Sequence, residues 1–185
     1  MKKEQEKFEF TASNLKRAKE IISKYPDTRQ ASAILPLLDL AQRQAGGWLP
    51  PYVIECVADL IQMPYIRALE VASFYTMFNL KPVGKHHIQV CSTTPCWLRG
   101  AEDIMKTCKK KLKIEAGETT KDGLFTLSEV ECLGACVNAP MVQINDDFYE
   151  DLTPNTMEKI ISSLINDKKI DTGSQIGRLG SKAQD

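Results

Sequence analysis

The side chains with the most chemical potential are six cysteines. Four of them fall in two close pairs, Cys91 and Cys96 spaced C-x4-C and Cys132 and Cys136 spaced C-x3-C. Each pair follows what reads as a short strand, so four thiols can converge on one small volume. Thiolates hold soft metals, and two pairs on two loops match a two-iron cluster, in which each iron takes two protein thiolates. Structural zinc usually takes C-x2-C knuckles, a dithiol oxidoreductase places C-x-x-C at a helix start, and a Rieske centre replaces two cysteines by histidines. None of these spacings is present. The stretch from Val90 to Asn145 therefore reads as a [2Fe-2S] site, with a four-thiolate zinc centre that fixes a docking surface as the alternative.

The remaining cysteines, Cys56 and Cys108, lie on apolar helical stripes, where a free thiol packs as a small hydrophobe. His86 and His87, the two histidines of the chain, are adjacent and read as surface residues rather than ligands. Thr93 and Thr94, beside a helix start with unpaired N–H groups, are placed to donate hydrogen bonds to sulfur. Gly134 permits a close backbone approach.

The elements that must position these thiols are strands followed by loops. Ile88-Gln89-Val90 reads as a buried strand delivering Cys91. Pro95 then opens a helix expected to turn Trp97, Ala101, Ile104, Met105, Cys108 and Leu112 inward, with Lys109-Lys110-Lys111 in its last turn. After a polar loop from Glu115 to Gly123, the alternation of Phe125-Thr126-Leu127-Ser128-Glu129-Val130 predicts a second strand, which delivers Cys132. Met141 to Tyr149 reads as a hairpin about Asn145-Asp146-Asp147, and Thr153-Pro154 opens a last helix carrying Met157, Ile160, Ile161, Leu164 and Ile165. The tail from Asp171, bearing Gly, Ser and Gln, is expected to be flexible.

To about Leu80 the pattern is helical only. Leu15, Ala18, Ile22 and Tyr25 mark the first stripe, ended by Pro26. Ile34, Leu38, Ala41 and Ala45 mark the second, with Pro36 near its opening turn and Gly46-Gly47 as its stop. Pro50-Pro51 opens a third with Val53, Cys56, Val57, Leu60 and Ile61. A fourth, after Met63-Pro64, carries Ile66, Leu69, Val71, Phe74, Tyr75, Phe78 and Leu80 on nearly every side and should need cover from more than one direction. A bundle of roughly 75 residues buries too little to be robust alone, so it is expected to dock on a neighbour. The fold class is α+β: an N-terminal helical bundle (1–80), an α/β domain with a mixed sheet (81–170) and the tail (171–185), the periodicity changing at Lys81 to Lys85.

Composition narrows the function. Lys+Arg and Asp+Glu number 24 each, so no overall field draws the chain to nucleic acid or to an anionic membrane. No run of about 18 apolar residues exists to span a bilayer. Met1 to Glu6 mixes charges and lacks the pattern of a secretory or transit leader. A reducing compartment follows, in which cysteines serve as ligands or core residues rather than a disulfide framework. There is no P-loop and no Gly-rich dinucleotide fingerprint, since Gly46-Gly47 follows a helix rather than a strand. A dinucleotide is therefore expected to bind elsewhere than on this chain.

The segments ILPLLDLAQRQAGGWLP, VASFYTMFNLKPVGKHHIQVCSTTPCWLRGA and VECLGACVNAPMVQIND resemble the thioredoxin-like [2Fe-2S] ferredoxins, and among them the flavoprotein-associated E subunits of NADH-quinone oxidoreductase, respiratory complex I. The resemblance runs from about Phe8 to Leu164. It implies a thioredoxin-like C-terminal domain with one cluster on Cys91, Cys96, Cys132 and Cys136, and a larger partner flavoprotein that holds FMN, binds NADH and carries a further iron-sulfur cluster. FMN takes two electrons from a hydride donor and the cluster one at a time, so the expected role is electron transfer rather than acid–base catalysis. Equivalent subunits of NAD-linked hydrogenases and formate dehydrogenases are the alternative setting. The implied location is peripheral, on the cytoplasmic side of the inner membrane or the matrix side in a mitochondrion, other subunits supplying the anchor. Ala139-Pro140 resembles the position where such folds carry a cis proline.

Overall fold

The computed structural model describes residues 7–180; Met1 to Glu6, read above for a leader, and the last five residues of the tail lie outside the described residues. Contacts divide the chain into two compact units, Met1–Pro82 and Val83–Asp185.

The first unit is helical. Helix α1 (Ala12–Ile22) begins at Thr11, whose hydroxyl accepts the Asn14 N–H. A 3-10 turn (Gln30–Ala33) leads into α2 (Ile34–Gln44), which places Pro36 in the first turn, where its missing N–H costs no helix bond. Helix α3 (Pro51–Leu60) buries Val53, Ile54, Val57 and Ala58. Cys56 sits one position off that stripe and is half-buried, not the core residue its spacing suggests. Helix α4 (Tyr65–Phe74) departs further from expectation. It stops at Phe74, and only Ala68 and Ala72 are buried. Ile66 and Phe74 stay 58% and 77% exposed, while Phe78, beyond the helix, enters the core. Small residues at an i, i+4 spacing let a helix approach closely, and here they outcompete the larger apolar ones for the inner face.

The second unit is a five-stranded mixed sheet in the order β2-β1-β3-β4-β5. Strand β1 (His86–Cys91) runs parallel to β2 (Phe125–Val130), with Ile88 opposite Leu127 and Cys91 opposite Val130. Strand β3 (Val142–Ile144) pairs antiparallel with β1 and with β4 (Asp147–Glu150), the hairpin turning at Asn145 with φ +55°. Between β1 and β2 the chain forms α5 (Thr94–Leu98) and α6 (Ala101–Leu112). A single helix from Pro95 was expected; Gly100, at φ +96°, breaks it because that conformation favours glycine. The break turns Trp97 outward, 55% exposed, its indole N–H donating to Glu102.

Helix α7 (Pro154–Ile165) starts with a capping box between Thr153 and Thr156. It and α6 cover the sheet: Cys108, Ile104, Met157 and Ile161 pack with Ile88 and Leu127 in one core. His86 and His87 open β1 and are half-buried, not surface residues; the His87 ring pairs with the Ser128 hydroxyl at 2.8 Å. The tail also differs from expectation. Strand β5 (Gly173–Ser174) pairs in parallel with β4, and Arg178 forms an ion pair with Asp151.

Candidate metal centre

Parallel pairing of β1 and β2 creates the site. Only in that orientation do two neighbouring strands discharge their following loops at the same end. Strand β1 ends at Cys91 itself and β2 ends at Val130, two residues before Cys132. Cys96 enters from the middle of α5, and Cys136 begins a 3-10 turn, Cys136–Asn138.

The four thiols predicted from spacing stand as two pairs on the loops that follow β1 and β2. Cys91 and Cys96 are buried and hydrogen-bonded to each other, while Cys132 and Cys136 are exposed with their sulfurs 3.6 Å apart. The Thr93 hydroxyl links the pairs, lying 3.5 Å from Cys91 Sγ and also hydrogen-bonded to Cys132. Of the two threonines expected to serve sulfur, Thr93 does so; Thr94 is the first residue of α5. Among the described residues, no three His, Cys, Asp or Glu side chains gather closely enough to share a single metal ion. The thiols stand instead as an inner and an outer pair.

Backbone amides are aimed at the sulfurs. Leu133 and Thr93 donate N–H bonds to Cys91, Met141 to Cys96 and Gly134 to Cys132. Gly134 has φ +84°, a conformation glycine adopts freely, and it directs its N–H back to the preceding thiol. The donors at Leu133 and Met141 escape sequence reasoning, because every residue but proline owns an N–H and only the fold says where it points.

These surroundings split the acidities. Burial pushes the Cys91 thiol up, but bonds from the Thr93 hydroxyl, the Leu133 N–H and Cys96 outweigh it and leave Cys91 below its ordinary value. Burial, then the bond to Cys91, pushes Cys96 up to about 12. The Gly134 N–H, with Cys136 and Thr93, holds Cys132 low, and Cys136 rises through its bond to Cys132 and then burial. One thiol of each pair is thus held more acidic than its neighbour. A bound cation would favour all four as thiolates.

Around the sulfurs, Ala101, Ala139 and Met141 form a small apolar floor, with Leu133, Ala135 and Phe148 at its margin. Ala139-Pro140 is cis, as the resemblance suggested. Trp97, Leu98 and Val137 are exposed apolar side chains on the α5 and Cys136 segments. Cys108, buried in the sheet core, has its thiol pushed up to about 12 by desolvation.

Known proteins carry related chains. The E subunit of NADH-quinone oxidoreductase from Rickettsia bellii, so named, is 69% identical over 160 residues, 86% of this chain and 96% of that one. The mitochondrial protein named NADH dehydrogenase [ubiquinone] flavoprotein 2 of Dictyostelium discoideum is 53% identical over 92% of this chain and 69% of that one. A crystal structure of an NAD+-reducing [NiFe]-hydrogenase, at 20% identity, superposes with a TM-score of 0.62 over 70% of this chain. The matched part is 23% of that hydrogenase chain, and at this identity the likeness concerns the fold. Residues 18–165 match the family described as thioredoxin-like [2Fe-2S] ferredoxin. A match of that extent, with relatives this similar along nearly their full length, places the chain in the thioredoxin-like [2Fe-2S] ferredoxin family.

Proposed function

We propose that the chain is the electron-transfer subunit of an NADH–quinone oxidoreductase and that Cys91, Cys96, Cys132 and Cys136 hold its single [2Fe-2S] cluster. The observation that carries the reading is the two-by-two arrangement of thiols at one end of a parallel strand pair, with backbone N–H groups directed at the sulfurs. Two thiolates per iron is what such a cluster requires, and hydrogen bonds to the sulfurs suit the negative charge that they carry. The rival is a zinc ion held by the same four thiolates, which metal analysis separates from a cluster.

When bound, the cluster supplies a one-electron couple. The protein's part is to hold that couple in place and tune it: burial of Cys91 and Cys96 favours the less charged state, and the N–H donors favour the more charged one. Cys132 and Cys136 are exposed, Val137 beside Cys136 is exposed, and so are Trp97 and Leu98, which follow Cys96 in α5. These exposed groups suit close approach by the FMN- and NADH-binding flavoprotein, with which this chain would exchange single electrons. The chain is not expected to oxidise NADH alone.

The helical region (1–80) and the cluster domain (81–170) are assigned separate tasks, partner contact and electron transfer. No helix among the described residues is long and apolar enough to cross a membrane, consistent with a peripheral subunit whose anchor lies in other subunits. Relatives named for NADH-quinone oxidoreductase at 69% identity favour that complex over a hydrogenase, where the likeness is one of fold. Purification from native membranes tests the assignment: the chain should emerge with an FMN-containing subunit and NADH–quinone oxidoreductase activity. Emergence with hydrogenase or formate dehydrogenase activity would overturn it.

A further inference from the structure

Past α7 the chain returns across the loop that carries Cys136, and three features fasten it there. Gly173 and Ser174 pair with Tyr149 and Glu150 of β4. The Arg178 guanidinium donates to both oxygens of Asp151, at 2.6 and 3.2 Å, and to the Val137 carbonyl at 2.7 Å. Gly180 lies so near Asn138 that an added Cβ would come within 2.5 Å of its Nδ2. Asn138 has little room to retreat, being buried with that amide donating to Glu150 at 2.6 Å.

The chemistry of these groups gives the segment a task. The Asp151 side chain is only 4% exposed, and a buried carboxylate persists as a charge only when paired. Its partners, Arg178 and the Ser174 hydroxyl at 2.6 Å, both come from the returning segment. On its other side the Asp151 N–H donates to the Asn138 carbonyl at 2.7 Å. Val137, between Cys136 and Asn138, keeps its own side chain 64% exposed, so core packing of that residue does not hold the turn. Hydrogen bonds to the Val137 and Asn138 carbonyls hold it instead.

We propose that residues 173–180 form a strap that positions the Cys136 turn as a cluster ligand, with Arg178 as the positioning residue. This rests on the ligand reading above and adds residues outside the cysteine motifs to it. A planar fork explains the choice of arginine: it spans a carboxylate and a carbonyl at once, which an ammonium does with one point charge. Loss of the fork should loosen one ligand of four, leaving the sheet and its helices in place.

The test uses the full-length chain in three forms: wild type, Arg178→Ala and Arg178→Lys. Amide hydrogen exchange, read in the metal-free protein, should quicken at residues 134–138 in Arg178→Ala and stay unchanged in β1, β2 and α6. In the cluster-loaded protein, iron release to a chelator should quicken by about tenfold, the scale found when a group orienting a metal ligand is lost. The EPR signal of the reduced protein should shift or broaden. Arg178→Lys should restore part of each effect, and Gly180→Ala, which pushes on Asn138, should reproduce the exchange result. Unchanged exchange at 134–138, or acceleration spread evenly through the unit, overturns the strap. A wild-type chain that takes up no cluster would instead defeat the ligand reading, and the exchange experiment would still judge the strap.

Discussion

Replacing Cys108 by serine separates a packing cysteine from a ligand cysteine. The thiol is fully buried in the core formed by β1, β2, α6 and α7, and desolvation keeps it protonated. Serine puts a hydroxyl in that place. Leaving it unpaired would cost about 1–3 kcal/mol, and a bond to the carbonyl one helical turn back should hold the loss near the lower half, about 1–2 kcal/mol. For a unit of about 100 residues each kcal/mol moves the midpoint by about 4–8 °C, so the sheet-bearing unit should melt about 4–16 °C lower. Cys56→Ser, on a half-buried position, should change stability by less than about 1 kcal/mol. Both variants should keep the cluster's visible and EPR spectra. Thermal unfolding followed by circular dichroism, with spectra taken before the transition, reads both quantities. Cluster loss in a still-folded Cys108→Ser protein would refute the ligand assignment. A larger destabilisation from Cys56→Ser than from Cys108→Ser would refute the packing argument.

Other expectations follow from particular contacts. Burial, chiefly, lowers the His87 pKa, and burial with the neighbouring Lys85 lowers that of His86. The unfolded chain thus binds protons first on acidification: stability is full above the ordinary value of about 6.5 and falls as pH drops toward the folded values. His87→Gln should flatten the midpoint-versus-pH curve below that value, and an unchanged slope would count against the burial argument. Gly84→Ala would push a methyl group to 2.7 Å from the Phe125 backbone, beside the Gly84 N–H bond to Thr126, so denaturant unfolding should show a loss of about 1–3 kcal/mol. Thr153→Ala removes the hydroxyl that accepts the Thr156 N–H in the α7 capping box and should cost about 1 kcal/mol in the same measurement.

The cysteine pairs were legible because ligand chemistry constrains residue type and spacing together. The strands that deliver them were legible because period-two alternation is local. That β1 and β2 are parallel was not, since pairing direction depends on how the intervening α5 and α6 cross the sheet. The inward Trp97 failed at Gly100, a helix break that the apolar stripe on both sides concealed. The all-round apolar α4 failed differently: periodicity could not say that Ala68 and Ala72 would win the inner face. The pairing of Arg178 with Asp151 left no sequence signal, because an arginine in a polar tail and an aspartate before a helix are each ordinary alone.

The central claim is that four cysteines hold one two-iron cluster, and metal analysis joined to EPR tests it most directly. Anaerobically purified wild-type protein should contain about two iron and two acid-labile sulfide per chain and give an EPR signal on one-electron reduction, which Cys132→Ser should abolish or alter. A colourless, EPR-silent protein whose only metal is zinc would contradict the account.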